Sequence, residues 1–371
     1  MKIGLIGAGR LGICLALLIE QAGYTVVASD IREDYVKGLN EKRIDTAEPD
    51  VQRLLSNSTR ITFTTNNWDV IEECDIIFTL VATPSLEDGS YDVSAVDKVV
   101  QDFTTSSSKL KGKSLIVGCT TNPGDCDRFQ KELDYFGVDV YYNPEWIAQG
   151  SIVRDLERPD MVLIGGDGHH SLDIEGIYML IVKSDCSVNW MSRKAAEITK
   201  IAVNCYLTTK ISYANLVGQV LALAGMDDEI DTVLNSIGTD TRIGNKYLGF
   251  GFGFGGPCFP RDNRAFAAYA KDLGVCFNLG ETIDNFNNEH RDFLKEYFIS
   301  KNKQKLPFSF KYLTYKEGID ILTESRPYDL AKIFLNEGYS VYCIDDTMSS
   351  ALDDRIQFIA APREDVYWID L

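Results

Sequence analysis

Histidine is scarce in this chain of 371 residues, limited to His169, His170 and His290. The nine cysteines, at 14, 74, 119, 126, 186, 205, 258, 276 and 343, are scattered and contain no CxxC pair. No ligand-like spacing joins the two residue types, so no metal is expected. An odd, unpaired set of thiols reads as reduced, cytoplasmic and mostly buried as small hydrophobes. Basic residues are outnumbered, 37 Lys and Arg against 55 Asp and Glu, for a net charge of −18. That field repels nucleic-acid phosphates; no nucleic-acid partner is expected, and a phosphate-bearing ligand must be held by local donors. Uninterrupted apolar runs of about 18 residues are missing, which excludes a membrane-spanning helix. The start, MKIGLIGAGRLGICLALLIE, superficially resembles a secretory signal, but Arg10 and the glycines break it, and strand–turn–helix fits better. Solenoid-period repeats and low-complexity tracts are also absent. At 45% apolar and 25% charged the composition is that of a folded protein, and the length suggests two or three domains.

What the chain does contain is alternation. Short apolar runs at 2–6, 25–29, 60–64, 75–81, 114–119, 138–143 and 161–166 are separated mostly by helix-like stretches. This grammar predicts an α/β fold with a mainly parallel, doubly wound sheet over 1–190. From Arg193 to Ala224 the only glycine is Gly218 and there is no proline, with Ser192 as N-cap and Gly225 as stop. The helix so predicted is about 45 Å long. It suits a spine between domains and a dimer face in a central helical segment, 191–300. The last segment, 301–371, carries a helix leading through Gly338 into a strand at 340–344. It is expected to be a shortened α/β domain, ending before a full sheet is built.

Three places carry chemistry. Gly7, Gly9 and Gly12 form GxGxxG between a strand and a helix, with Arg10 and Leu11 inside the turn. Such glycines let the backbone approach a pyrophosphate at the helix N-terminus. Asp30, at the end of the second strand, can accept the ribose hydroxyls and repel a 2′-phosphate, favouring NAD, although Arg32 stands two residues on. The second place is Gly251-Phe252-Gly253-Phe254-Gly255-Gly256-Pro257-Cys258-Phe259-Pro260-Arg261-Asp262, a glycine-dense loop presenting a cysteine beside a cation, where a thiolate is nucleophilic. The third is the long helix, where Lys200, Asn204 and Thr208 share a face. A lysine and an amide there suit stabilisation of an oxyanion. Thr120-Thr121-Asn122-Pro123 and Asn143-Pro144-Glu145 follow strands, where open α/β sheets bind ligands. Each feature also has an ordinary reading: a glycine turn, a structural thiol, a solvated helix face or a plain turn.

In order along the chain, GAGRLG, VATPSLEDGSYDVS (81–94), TTNP, NPEWIAQGSIVRDLERPDMVLIGG (143–166), KIAVN, DTRIG (240–244) and GFGFGGPCFPRD resemble the UDP-glucose/GDP-mannose 6-dehydrogenase family over about residues 1–345. The resemblance implies a Rossmann-type NAD domain, a central helical dimerisation domain and a C-terminal nucleotide-sugar domain. It also implies two NAD-dependent oxidations of a sugar C6 alcohol, with a homodimer as the assembly. Cys258 would form a thiohemiacetal and then a thioester. Lys200 and Asn204 would hold the C6 oxygen, Asp262 with Thr121 would position water or relay protons, and Glu145 would activate the hydrolytic water. Thr83, Thr121, Glu145 and Arg261 would lie along the cofactor. Glu145, Gln149, Lys200, Asn204, Tyr247, Leu248, Gly249, Phe250, Gly251 and Gly255 would line the sugar nucleotide, Arg242 would reach across the dimer, and Lys316 would bind from the third domain.

The sequence also departs from the family pattern. Gln149 stands where a glutamate is common, Arg261 replaces a lysine, and Thr323 stands in place of an arginine, which Arg326 would replace only by a slip of register. UDP-glucose is the first choice of substrate, ahead of UDP-N-acetylhexosamines and GDP-mannose. Two alternatives remain: a member that binds nucleotide sugar or NAD without turnover, and a single-hydride β-hydroxyacid-type dehydrogenase, which needs no cysteine.

Overall fold

Runs rich in Val, Ile and Leu suit strands covered by helices on both faces, and the apolar runs of the first half become such strands. The computed structural model describes residues 1–46, 48–167, 171–276, 278–345, 353–369 and 371. His169 and His170 lie outside the described residues. The chain divides into two compact units, Met1–Lys200 and Ile201–Leu371.

The first unit is built on β1 (Lys2–Ile6), β2 (Thr25–Ser29), β3 (Ile61–Thr64), β4 (Ile76–Thr79), β5 (Ser114–Val117), β6 (Asp139–Tyr142), β7 (Met161–Gly165) and β8 (Ser187–Met191). They form one sheet in the order β3-β2-β1-β4-β5-β6-β7-β8. The first six strands run parallel. β7 meets β6 antiparallel through the Tyr142–Gly165 pair, and β8 then runs parallel to β7. The mainly parallel sheet is therefore present, with a reversed two-stranded edge. Strand order reverses between β1 and β4, and a crevice for ligands is expected beyond the carboxyl ends of strands at such a switch. Gly7 and Leu80 follow β1 and β4 at that point, and Leu80 N–H donates to Ile6 C=O at 2.8 Å.

The long helix spans Arg193–Leu223. Both predicted ends hold: Ala196 N–H bonds to Ser192 C=O at 3.0 Å, and Gly225 takes φ +77°. In the second unit the helices Ile230–Gly238, Phe259–Asp272 and Leu279–Lys301 follow. The C-terminal segment carries a second, smaller sheet. β9 (Phe308–Phe310), β10 (Val341–Cys343), β11 (Ile356–Phe358) and β12 (Tyr367–Ile369) pair in parallel in the order β11-β10-β9-β12. Three-residue strands suffice because aromatics supply the burial: Phe308 and Phe334 are fully buried and stack with centroids 3.8 Å apart. Six of the nine cysteines are buried, whereas Cys258 and Cys276 are exposed.

Candidate active site

The three glycines after β1 do different work. Gly7 adopts φ +97°, and a Cβ there would lie 2.6 Å from Leu80 O. A Cβ on Gly12 would lie 2.1 Å from Gly7 O, so helix Arg10–Gln21 can approach the turn only with glycine at that position. Gly9 is different: a Cβ there would meet nothing nearer than Arg32 Nη2 at 3.9 Å. That opening, beside the uncapped N-terminus of the helix, is the space a pyrophosphate needs. Asp30, buried at the end of β2, accepts from Arg32 N–H at 3.1 Å, Nε at 2.8 Å and Nη2 at 2.9 Å. The Arg32 guanidinium in turn lies over the Tyr35 ring. Arg10 Nη1 reaches Gln149 Oε1 at 3.4 Å, Leu11 packs against the sheet core, and Thr83 is buried in the loop after β4. These residues fit NAD through the open cradle at Gly9 and the carboxylate at the second strand's end.

Beyond β6, Glu145 and Lys200 come together within the first unit. Lys200 Nζ donates to the Glu145 carbonyl at 2.8 Å and sits 4.6 Å from the centroid of the Trp146 ring. The Glu145 carboxylate faces Tyr178, whose hydroxyl lies 2.9 Å from Oε1 and 2.5 Å from Asn143 Oδ1. Burial pushes the Glu145 carboxyl up to about 7, against the opposing pull of the Tyr178 hydrogen bond and the Lys200 charge. A carboxyl titrating near neutrality suits proton transfer at physiological pH.

In the second unit, Cys258 is the exposed N-cap of helix Phe259–Asp272. Its carbonyl accepts from Asp262 N–H at 2.8 Å, closing the first turn. Asp262 is fully buried, and its carboxylate takes Asn204 Nδ2 at 2.6 Å and Arg261 Nε at 3.0 Å. Thr208, one turn along from Asn204, donates to Asn263 Oδ1 at 2.9 Å. The long helix therefore fastens to the cysteine-bearing helix through two polar pairs at i and i+4.

Two family models match the chain. Residues 1–181 match the NAD binding domain of the UDP-glucose/GDP-mannose dehydrogenase family, and residues 194–289 match its central domain. The chain belongs to the UDP-glucose/GDP-mannose dehydrogenase family. Among curated relatives, the UDP-glucose 6-dehydrogenase of Pseudomonas aeruginosa is 29% identical, over 96% of this chain and 81% of that protein. The UDP-glucose 6-dehydrogenase of Rhizobium meliloti is 30% identical, over 78% of this chain and 68% of its own length. Among solved structures, a UDP-glucose dehydrogenase from Pyrobaculum islandicum superposes with a TM-score of 0.84 at 26% identity, covering 97% of this chain and 86% of that one. The dehydrogenase is thus an NAD-dependent enzyme of nucleotide sugars.

The remaining predicted residues of the dehydrogenase fall in several places. Tyr247 is exposed and holds φ +61°, a left-handed conformation that costs a tyrosine energy and is often found at functional sites. Leu248 is buried against Leu221 and Leu234, and Phe250 fills the space left by Gly218, where a Cβ would lie 2.1 Å from the ring. Gly249 and Gly251 have open space where a side chain would be. Gly255 is pressed against the neighbouring backbone, with a Cβ position 2.3 Å from Glu324 O. Arg242 is exposed and paired with Asp240, and Lys316 is exposed on a turn closed by Thr314. Arg326 follows Thr323 by three residues, at the start of a helix. It is buried, donating to Phe254 O at 3.2 Å and Asn288 Oδ1 at 2.9 Å, and so fastens the glycine loop from beneath.

Besides Tyr178, two residues of the dehydrogenase escaped the sequence reading. Glu197, fully buried on the long helix, accepts from Thr121 Oγ1 at 2.8 Å, Gly124 N–H at 2.6 Å and Cys126 N–H at 2.9 Å. Thr121 is therefore seated by its hydroxyl against the helix that carries Lys200. The signal was the spacing of Glu197 three residues before Lys200, which puts both on neighbouring faces. The other is His290, fully buried, whose Nε2 lies 2.7 Å from Gly251 O and whose Nδ1 lies 2.8 Å from Gln219 Nε2. A lone histidine in a helix offers no such signal.

Proposed function

We propose that the dehydrogenase oxidises the C6 alcohol of a nucleotide sugar twice, to the carboxylate, with UDP-glucose ahead of other UDP- and GDP-sugars. The observation that carries this reading is Cys258, an exposed thiol at the start of a helix whose first turn holds the buried Asp262–Asn204 pair. A helix N-terminus favours negative charge, and so favours the thiolate nucleophile. A single-hydride dehydrogenase has no use for it. The name UDP-glucose 6-dehydrogenase borne by the relatives supports the choice of sugar.

NAD bound at the cradle of Gly7, Gly9 and Gly12 would supply the hydride acceptor for both oxidations, and each oxidation would also release the C6 hydroxyl proton to solvent. Between the two, Cys258 Sγ bonds to C6 of the aldehyde, and the aldehyde oxygen takes a proton to give a thiohemiacetal. After the second oxidation the sugar is held as a thioester. Water adds to that carbonyl, the C–S bond breaks, and carboxylate and thiol are released. Lys200 and Asn204 hold the negative charge that develops on the C6 oxygen. Glu145 accepts the proton of the attacking water, and Asp262 orients the Asn204 amide. The four-stranded C-terminal sheet would serve the nucleotide of the substrate. A homodimer and a cytoplasmic location belong to the same reading. Exposed Tyr206, Tyr213, Leu216, Val220 and Leu223 on the long helix support the dimer.

The test is cofactor reduction measured with limiting sugar across a panel of UDP- and GDP-sugars. Two reduced cofactors per UDP-glucose, falling to one or fewer in Cys258→Ser, is the expected result. One per sugar in the unaltered protein would sink the four-electron reading.

A further inference from the structure

Tyr178 lies on helix Leu172–Ile181, outside every motif that pointed to the site, yet its hydroxyl meets two acceptors at once. A phenol has one proton to donate. Asn143 Oδ1 at 2.5 Å and Glu145 Oε1 at 2.9 Å therefore compete for it. Asn143 is held in this orientation because its Nδ2 donates to Leu163 O at 2.9 Å, which leaves Oδ1 facing the phenol. Tyr178 and Asn143 are both buried.

We propose that Tyr178 is a positioning residue for Glu145: its hydroxyl gives Glu145 a hydrogen bond in both forms, donating to the carboxylate and, once Glu145 is protonated, accepting from it while its own proton turns to Asn143. This inference rests on the proposed role of Glu145 as acceptor of the water proton. A base that must gain and lose a proton each cycle would otherwise lose a buried hydrogen bond in one of its two states. The groups facing the Glu145 carboxylate are the Tyr178 hydroxyl from helix Leu172–Ile181 and the Lys200 ammonium from the long helix. Lys200 favours the carboxylate by charge. Tyr178 and Asn143 adjust the balance, and they do so in opposite directions. Without the phenol, the carboxylate loses a donor and protonation becomes easier. Without the Asn143 acceptor, the phenol proton stays on Glu145 and protonation becomes harder.

The test compares Tyr178→Phe and Asn143→Leu in the full-length enzyme with NAD and UDP-glucose. One readout is the acidic limb of kcat against pH. The other is the titration of the Glu145 carboxyl by carbon-13 NMR, its signal assigned by loss in Glu145→Gln. Tyr178→Phe is expected to move both midpoints up by about one pH unit, and Asn143→Leu to move both down. Variants that fold normally but leave the Glu145 titration in place, or that move it in the same direction, overturn the proposal, whatever happens to kcat. If the carboxyl titration moves in opposite directions while the kcat limb stays still, Tyr178 keeps its positioning role and the assignment of Glu145 as the base is lost. If Tyr178→Phe does not fold, the downward shift in Asn143→Leu decides.

Discussion

Asn204 Nδ2 lies 2.6 Å from Asp262 Oδ2, joining the long helix to the first turn of the helix that Cys258 caps. The other Asp262 oxygen is held by Arg261, and the side chain has no exposure to solvent. Asp262→Ala would strand an amide and a guanidinium without their acceptor. The expected loss is about 3–5 kcal/mol of stability in the second unit, with turnover lower by about a hundredfold or more as Asn204 loses its orientation. Urea denaturation and kcat measured on the same preparation check both. Unchanged stability would show that the pair is not a fastening.

The glycine cradle separates folding from binding. Gly12→Ala puts a methyl 2.1 Å from Gly7 O and should destabilise the first unit by about 2–3 kcal/mol. Gly9→Ala meets no neighbour closer than 3.9 Å, so its melting temperature should match the parent while NAD binding weakens about tenfold or more. Thermal melts beside calorimetric titration with NAD distinguish the two. Equal losses of binding and stability at Gly9 would contradict the assignment.

Thiol chemistry should be selective. With Cys258 and Cys276 the exposed cysteines, iodoacetamide is expected to label these two first, as read by peptide mass spectrometry. Activity should fall with the labelling of Cys258. Cys276→Ser should leave both the rate of inactivation and the activity unaltered, and UDP-glucose should protect Cys258. Inactivation that follows Cys276 instead would remove the nucleophile from the proposed mechanism.

His290 makes stability depend on pH. Burial lowers its pKa to about 4, well under the ordinary value of 6.5. The network explains why the neutral ring is preferred: Nε2–H donates to Gly251 O, and Nδ1 accepts from the Gln219 amide. Protonating Nδ1 would set two donors against each other. Because the folded value is the lower, the unfolded chain binds the proton more readily. The contribution is full above pH 6.5 and is lost as the pH falls toward 4, amounting to about 3 kcal/mol. Chemical denaturation across that range should show this slope, and His290→Gln should remove it. Parallel pH curves for the two proteins would refute the assignment.

Much of this was legible in the residues. Apolar runs, the glycine turn and the Ser192-to-Gly225 helix each obey short-range rules, so β1 to β7 and the long helix stand where the sequence puts them. β8, whose run SVNWM mixes polar with apolar residues and stays partly exposed, was not singled out; nor were the three-residue strands β9, β11 and β12, because so short a run carries no period of its own. Their burial comes from aromatic partners such as Phe334, distant in sequence. Glu197, Tyr178 and His290 were missed for a related reason. A glutamate, a tyrosine or a histidine on a helix is commonly solvated or plain core, and its partners here lie 33 to 76 positions away.

By itself, then, the sequence determined the class of the protein: the order of strands and helices, the glycine cradle for NAD, and a cysteine in a glycine loop beside Arg261 and Asp262. These depend on backbone sterics and local spacing, which adjacent residues set. Only the tertiary structure decided what each polar side chain answers to. It seated Thr121 on Glu197, turned Arg326 to the glycine loop, and placed Glu145 against Tyr178 with its carboxyl near neutrality. Burial and long-range hydrogen bonding fix those partners, and neither is a property of any short stretch of chain.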